Sequence, residues 1–228
     1  MSILINHNIS ELLNKKMILT ANNFIKSQIQ PASLDLTLSS NCYRIKASFI
    51  PNNKNVSQLI ESLTLSKINL NNENLLEKNC IYLCELNESL NLSNIFSAKS
   101  NPKSTTGRLD IFTRLITDNG KEYDVVDKGY KGKLYLEIIP QSFSIIIKKG
   151  LSLNQIRFYK DEQIINSFVR FQNISIYIKK NQICAYKAKK NTSAINLSKL
   201  NHYKINEFWE TIIPKNNNFI IEKDAFYI

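Results

Sequence analysis

Hydroxyl and cationic side chains are concentrated in one short stretch, Pro102-Lys103-Ser104-Thr105-Thr106-Gly107-Arg108. Three hydroxyls and two cations lie within seven residues, and the glycine permits a tight backbone turn. The N–H groups and hydroxyls of such a turn can bind a phosphate, and the cations add charge-assisted hydrogen bonds. The alternative is a solvated Ser/Thr turn between two strands, and this stretch alone does not decide between the two.

A second turn, Asp127-Lys128-Gly129-Tyr130-Lys131-Gly132, combines a carboxylate, an aromatic ring and two glycines. A sugar could rest on the Tyr130 ring while Asp127 accepts a hydrogen bond from a sugar hydroxyl. A plain hairpin turn explains the two glycines equally well.

Glu137 is the third candidate, because it stands inside a run with the alternation of a strand. Period-two spacing puts Lys133, Tyr135, Glu137 and Ile139 on one face. Since Tyr and Ile share that face, it is not purely solvent-facing, and a carboxylate there suits a general acid or base. An edge-strand glutamate paired with a lysine is the alternative.

Several other reaction types lack the residues that they need. The two histidines, His7 and His202, are too few and too far apart for a Ser-His-Asp triad, and no G-x-S-x-G elbow occurs. The H-x-E and C-x-x-C spacings of zinc deaminases are absent, so we expect no zinc. Any reaction must therefore use carboxylates, hydroxyls, Lys or Arg, with Mg²⁺ held mainly by substrate phosphates.

Composition sets outer bounds on the protein. With 228 residues, 43% of them hydrophobic, the chain can form one large domain or two small ones. The net charge of +11 suggests a polyanionic partner, but a skew toward Ile, Asn and Lys, as in an AT-rich genome, accounts for much of it. A nucleic-acid-binding β-domain is therefore the weakest alternative.

The sequence contains no visible membrane or export segment. No apolar run approaches the roughly 20 residues that span a bilayer. Residues 1–7 have neither the basic nor the apolar region of a secretory signal. We therefore expect a cytoplasmic protein with no membrane partner, whose four cysteines, Cys42, Cys80, Cys84 and Cys184, are reduced packing residues.

The elements that must position the candidates are mostly strands. Short helices are predicted near residues 10–15, 22–26 and 56–63. Strands are predicted at residues 34–38, 43–50, 81–86, 95–99, 110–117, 133–139, 143–148, 153–159 and 174–179. Many short strands without βαβ alternation indicate a mainly β fold, a jelly-roll sandwich or barrel with N-terminal short helices.

The last part of the sequence has a different composition. From about residue 180 it is rich in Lys, Asn and Ser, which predicts a domain over residues 1–179 and an irregular C-terminal extension over 180–228. One short helix is predicted near residues 206–211. The final Phe226-Tyr227-Ile228 is apolar and is typical of the start of a strand.

Four segments, taken in order, resemble the dCTP deaminase family, which shares its β-clip fold with the trimeric dUTPases. Together they lie within residues 29–159, and four blocks in order are far more specific than any one of them. The blocks are Ile29-Gln30-Pro31-Ala32-Ser33-Leu34-Asp35-Leu36, similar to Q-P-(A/S)-S-x-D-L; Lys103-Ser104-Thr105-Thr106-Gly107-Arg108-Leu109, similar to R-S-S-L-A-R-L; residues 126–137, similar to I-D-x-G-(F/Y/W)-x-G-x-(I/L)-x-L-E; and residues 150–158, similar to G-x-x-I-G-Q-L-x-F.

The resemblance implies metal-independent hydrolytic deamination of dCTP to dUTP and ammonia, a step in pyrimidine deoxynucleotide (dTTP precursor) metabolism. By the same resemblance, Glu137 activates the attacking water and transfers its proton, while Ser104 and Arg108 hold the water and stabilise the tetrahedral centre. Substrate-binding roles are implied for Lys103, Thr105, Asp127, Tyr130 and Gln155.

The resemblance implies that Ser104 and Thr105, with Lys103, bind the triphosphate, whose outer oxygens carry Mg²⁺. It also implies that Asp127 binds the deoxyribose 3′-hydroxyl, that Tyr130 stacks on the sugar and selects against a 2′-hydroxyl, and that Gln155 lines the site. The resemblance also implies a homotrimer with sites between subunits, in which Lys103 serves a neighbour's pocket together with Ser104 and Arg108.

Some details resemble a subgroup of longer deaminases built from two tandem halves, with this chain corresponding to the first half. They are Lys103, Thr106-Gly107, Phe112-Thr113-Arg114 and Glu207-Phe208-Trp209-Glu210. Two alternatives follow: a truncated or split-gene subunit that works only with a separately encoded second half, and a dUTP diphosphatase or bifunctional enzyme.

Overall fold

The described part of the chain consists mainly of short antiparallel strands. The computed structural model describes residues 2–21, 26–161, 178, 181–214 and 218–228. The chain divides into two units, residues 1–163 with 194–198 and residues 164–193 with 199–228, and each unit is described by itself.

Helices in the part of the chain that the structure describes are few and short. The longest is α1, and α2 is nearly as long; the helices are α1 (Asn6–Asn14), α2 (Val56–Leu63), α3 (Ser104–Gly107) and α4 (Ile205–Phe208), with a 3₁₀ turn at Lys26–Gln28. Buried residues in the two longer helices stand three or four positions apart, Ile9 with Leu12 and Val56 with Ile60, so each helix packs one apolar stripe against a sheet.

Seventeen strands make up the rest of the regular structure in the described residues. They are β1 (Ser2–Ile3), β2 (Ile18–Thr20), β3 (Ile29–Gln30), β4 (Ser33–Leu36), β5 (Leu38–Ile45), β6 (Thr64–Asn69), β7 (Asn74–Leu76), β8 (Ile81–Asn91), β9 (Phe96–Pro102), β10 (Ile111–Thr117), β11 (Val125–Val126), β12 (Lys131–Pro140), β13 (Ile145–Ile147), β14 (Asn154–Lys160), β15 (Ala185–Ala188), β16 (Ile195–Asn196) and β17 (Trp209–Ile212).

Two six-stranded sheets form the first unit. The first sheet has the order β11-β9-β14-β4-β3 with β1 on β14, and the second has the order β10-β12-β8-β5-β6 with β2 on β8. A smaller sheet, β16-β13-β7, contains the parallel pair β13–β16. The main core draws on both large sheets, including Leu34 and Ile156 from the first and Leu115 and Leu136 from the second. This arrangement is a β-sandwich.

The other face of the second sheet carries a second apolar cluster under α2. Leu83, Ile116 and Tyr135 come from the sheet, and Val56 and Ile60 come from the helix. Along β12, Tyr135 thus faces the cluster under α2, whereas Leu134 and Leu136 face the main core. This is the alternation that the sequence predicted. Glu137 lies on the Tyr135 side of the sheet.

A buried carboxylate on β8 ties the end of β4 to the second sheet. Glu88 is 1% exposed and accepts hydrogen bonds from the Thr37 N–H (2.9 Å), the Thr37 hydroxyl (2.7 Å) and the Gln28 amide (2.8 Å). Burial raises the pKa of Glu88, against the effect of these donors. The contacts hold the end of β4, the strand that carries two residues of the site described below.

The second unit contains more regular structure than its composition predicted. Strand β15 pairs with β17 on one side, and on the other the Tyr186 N–H donates to the Ile228 carbonyl (2.8 Å) and the Ala188 N–H to the Phe226 carbonyl (2.9 Å). The apolar C-terminal run is thus extended and paired. Helix α4 ends at Phe208, and the chain continues directly as β17. The helix predicted near 206–211 is therefore right up to Phe208 and wrong beyond it, because Trp209–Ile212 pairs with β15 as a strand.

The prediction of a mainly β fold with N-terminal short helices is confirmed. Helix 56–63 has the predicted bounds, and the strand predicted at 143–148 is shorter, at Ile145–Ile147. Strand 43–50 ends early, at Ile45. The predicted helix at 22–26 lies almost wholly, and the predicted strand at 174–179 mostly, outside the described residues. The boundary at residue 179 stays a prediction.

Candidate active site

Strand register brings polar residues from three distant segments together on the first sheet. Strand β14 lies between β9 and β4, and Gln155 stands opposite Asn101 on one side and Asp35 on the other. Since side chains two apart share a face, the same face also carries Ser33 and Arg157. This face borders a cavity of about 390 Å³, whose polar lining is Gln30, Ser33, Asp35, Lys103, Ser104, Gln155 and Arg157.

The side chains of this cavity are held by one another. Lys103 forms an ion pair with Asp35, whose side chain is 9% exposed. The Ser33 hydroxyl donates to Gln155 Oε1 at 2.9 Å. Arg157 donates to the Asn101 side-chain oxygen. The two cations, Lys103 and Arg157, outnumber the single carboxylate of Asp35 on this wall, so the cavity is suited to an anionic ligand.

The 102–108 stretch forms the lip of this cavity. The Lys103 N–H and the Thr106 hydroxyl both donate to the Leu153 carbonyl, at 3.0 and 2.8 Å. Thr106 is buried, so it anchors the turn, whereas Ser104 and Thr105 are exposed. Ser104 and Thr105, together with the exposed Arg108 that follows α3, are the side chains of this turn that a ligand can contact.

Glycine is not needed at position 107, contrary to the expectation that it permits the turn. Gly107 lies at the end of α3 without a positive φ, and a Cβ there would meet nothing within 4 Å. The glycine at position 129 is required. Its φ is +72°, and a Cβ would lie 2.1 Å from the Asn94 side-chain oxygen.

The 127–132 turn is tied down through the Tyr130 hydroxyl. That hydroxyl donates to the Lys133 carbonyl at 2.5 Å and accepts from the Asp118 N–H at 3.1 Å. Burial raises the pKa of Tyr130, so the phenol stays neutral. The hydroxyl is thus committed to the backbone, and only the ring is left for a ligand. Asp127, at the start of the turn, is exposed.

Glu137 is fully buried and held at one oxygen only. Its Oε1 accepts from Arg114 Nε at 2.8 Å and from Arg114 Nη2 at 2.5 Å, and the two residues stand directly opposite each other on β12 and β10. Within the described part of the chain, Oε2 has no hydrogen-bond partner. The edge-strand alternative, a glutamate paired with lysine, is wrong: β12 is flanked by β10 and β8, and the partner is an arginine.

The structure brings together some of the predicted residues and separates others. Lys103, Ser104 and Gln155 share the cavity on the first sheet. Its described lining does not include the remaining predicted residues, Thr105, Arg108, Asp127, Tyr130 and Glu137. Glu137 belongs to the second sheet, so one chain does not place it on the cavity wall.

Five polar residues of these two sites were not among the predicted functional residues. Gln30, Ser33, Asp35 and Arg157 line the cavity, and Arg114 holds Glu137. Alternation within the predicted strand 153–159 could have indicated that Arg157 lies on the same face as Gln155. No sequence signal pairs Arg114 with Glu137, because that contact depends on the register between two strands.

The described residues also bear on the expectations for metal ions, membrane spans and cysteines. Among the described residues, no group of three or more His, Cys, Asp and Glu side chains could hold a metal ion. A search of the described helices found none that is both long and apolar enough to cross a bilayer. The four cysteines are free thiols, and Cys42 and Cys84 are buried.

Comparison with known proteins identifies the class. The chain matches models of the two domains of one kind of nucleotide-processing enzyme. The 2'-deoxycytidine 5'-triphosphate deaminase N-terminal domain model matches residues 1–162, and the C-terminal domain model of the same enzyme matches residues 152–228. The chain belongs to the 2'-deoxycytidine 5'-triphosphate deaminase family.

A solved structure agrees with the family models. The crystal structure of 2'-deoxycytidine 5'-triphosphate deaminase from Agrobacterium tumefaciens superposes with a TM-score of 0.90 at 35% identity, covering 99% of this chain and 74% of that chain. No curated protein matches the sequence. The resemblance to the family and the fold class are thus confirmed. Because models of both domains match, the alternative of a half subunit is not favoured.

Proposed function

We propose that this chain is a dCTP deaminase, which hydrolyses the C4 amino group of dCTP to give dUTP and ammonia. Family membership supports this reaction, and the arrangement of Glu137 is the observation that carries it. A buried carboxylate with one oxygen bonded to arginine and the other unpartnered among the described residues is a general base with one available oxygen.

The reaction balances with Glu137 as the only proton carrier. Oε2 takes a proton from water as the water oxygen bonds to C4, and this proton is passed to N3. The second water proton then moves through Glu137 to the amino group, the C4–N bond breaks and ammonia leaves. Ser104 and Arg108 hold the water and stabilise the negative charge at the tetrahedral centre. No protein-bound metal takes part in these steps.

The remaining predicted residues bind the nucleotide in this proposal. Lys103 and Thr105 bind the triphosphate, whose outer oxygens carry Mg²⁺ as part of the substrate. Gln155 lines the same cavity, which supports its assignment to this site. Asp127 takes the 3′-hydroxyl, and the Tyr130 ring packs on the deoxyribose, in keeping with a hydroxyl already bonded to the backbone.

We further propose a homotrimer with sites between subunits. The separation of Glu137 from the cavity that holds Lys103 and Ser104 supports it, because one subunit can supply the base and its neighbour the lip of the cavity. The expected partners are dCTP and dUTP, without nucleic acid or membrane, and the expected location is the cytoplasm.

Arg157 adds a prediction about affinity. Replacing it by methionine removes a cation from the cavity wall, so KM for dCTP should rise by about 10-fold while kcat changes little. Lys160→Met is the matched control, since Lys160 is an exposed cation on the same strand and does not line the cavity. Equal KM values for the two variants would show that Arg157 does not contribute to dCTP binding.

Product identification tests the proposed function. The purified chain is incubated with dCTP and Mg²⁺, and ammonia, dUTP, dUMP and pyrophosphate are quantified. Ammonia and dUTP in equal amounts support the deaminase, whereas dUMP and pyrophosphate indicate diphosphatase or bifunctional activity. If wild type and Glu137→Gln both release no ammonia, the proposal is wrong.

A further inference from the structure

We infer that Arg114 is a positioning residue that orients Glu137 for proton transfer. This inference rests on the proposed function, because it concerns the same reaction. Arg114 touches neither cytosine nor water in the scheme above; it acts through the carboxylate.

The contact between the two side chains is asymmetric. Arg114 places both Nε and Nη2 on the same oxygen, Oε1, at 2.8 and 2.5 Å. Two charge-assisted bonds on one oxygen fix the carboxylate plane and leave Oε2 as the oxygen open to a ligand. Glu137 is 0% exposed, so leaving Oε2 unpaired in the described structure carries the cost of an unmet buried acceptor. Such a cost is expected where an oxygen is kept for a ligand.

Arg114 is itself held from its other sides. Its Cζ lies 3.8 Å from the centroid of the Tyr123 ring and 5.0 Å from that of Phe112. A planar guanidinium can stack its face on a ring while its edge donates hydrogen bonds, which a lysine ammonium cannot do. The stacking therefore sets the direction in which the edge points, toward Oε1.

The loop that contains Tyr123 is bonded to the residue next to Arg114. Asp124, which follows Tyr123, has a φ of +63° and forms two hydrogen bonds with Leu115. Its Oδ1 accepts from the Leu115 N–H at 2.8 Å, and its own N–H donates to the Leu115 carbonyl at 2.9 Å. Ser100 donates a further bond to the same carboxylate oxygen at 2.6 Å. The chain of contacts thus runs from Asp124 through Tyr123 and Arg114 to Glu137.

A purely structural role is the competing explanation, in which Arg114 only neutralises a buried charge. The two roles differ in what they affect. A structural pair affects stability and the amount of folded enzyme, whereas a positioning residue affects kcat in molecules that are folded. A misplacement of about 1 Å in a catalytic group can cost about 10²-fold in rate.

The test compares Arg114→Ala, Arg114→Lys and Arg44→Ala. Arg44 is the control because it lies on the same sheet as Arg114 and also pairs with a carboxylate, that of Glu77 at 3.1 Å. We measure kcat, KM for dCTP and thermal unfolding, each with and without millimolar guanidinium chloride. Arg114→Ala should lose about 10²-fold in kcat with KM within about 3-fold. Added guanidinium should restore part of the loss in Arg114→Ala, but none in Arg44→Ala or Glu137→Gln.

If Arg114→Ala fails to fold, the kcat of Arg114→Lys tests the inference instead. Lysine keeps the charge but not the fork, so a positioning role predicts a loss of about 10-fold in kcat for the folded protein. Wild-type kcat in either folded Arg114 variant, or no rescue of a folded, impaired Arg114→Ala, would overturn the inference while the proposed function stands. If wild-type enzyme itself releases no ammonia from dCTP, the proposed function has failed and this inference fails with it.

Discussion

Glu137→Gln is expected to lower kcat for dCTP deamination by about 10³-fold. The amide oxygen can still accept from Arg114, so the fold and the position of the side chain are preserved, but the side chain can no longer take a proton from water. KM for dCTP should stay close to the wild-type value, because the variant removes an interaction made with the reacting atoms only. Ammonia release under saturating dCTP and substrate titration measure the two quantities.

Glu85→Gln is the matched control for this variant. Glu85 lies on the neighbouring strand β8, opposite Tyr135, and bonds the Tyr43 hydroxyl at 3.3 Å. It has no part in the proposed chemistry, so kcat should remain at the wild-type level. A Glu137→Gln enzyme with kcat within a few-fold of wild type would show that another group accepts the proton.

Mixing two inactive variants is expected to restore activity. Ser104→Ala should by itself lose about 10²-fold in kcat, since it removes a donor to the water and the tetrahedral centre. If each site combines Ser104 of one subunit with Glu137 of another, co-expressed Ser104→Ala and Glu137→Gln chains form some sites with both residues intact. Random assembly gives about a quarter of the wild-type rate, because each intact residue is drawn with even odds.

Two observations separate this result from its alternatives. Each variant assembled alone should stay inactive at the same protein concentration, and sedimentation should show the same oligomer for both and for the mixture. Mixed oligomers no more active than the average of the two parents would place Ser104 and Glu137 in one subunit, or show that they do not share a site. A monomer in sedimentation would contradict the trimer directly.

Much of the fold followed from local patterns. The alternation of apolar residues placed β8, β10, β12 and β14, because a strand with a covered face needs this period whatever its partner is. The helix at 56–63 followed in the same way from its apolar stripe. Short strands such as β2, β7 and β11 were missed, since two or three residues carry no periodicity and are extended only because a neighbouring strand is there to pair with.

The turns show a different limit. Glycine was expected to permit the turn at residues 102–108, yet eleven described residues other than glycine have a positive φ, and all but one of them are Asn or Asp. These two residues tolerate the left-handed region because their short polar side chains bond the local backbone. In a chain with five glycines, asparagine and aspartate therefore form many of the turns, and composition alone does not tell which ones.

By itself, the sequence determined which chemistry was available: a carboxylate on a strand, a turn with hydroxyls and cations, and a strand that carries Gln155. It determined the strand period and the family as well. The tertiary structure decided which arginine holds Glu137, that Lys103 pairs with Asp35, and that the base and the cavity stand on different sheets. These contacts join residues 23 and 68 positions apart, respectively, and are set by strand register. Register is decided by the packing of whole faces against each other, which no local pattern contains.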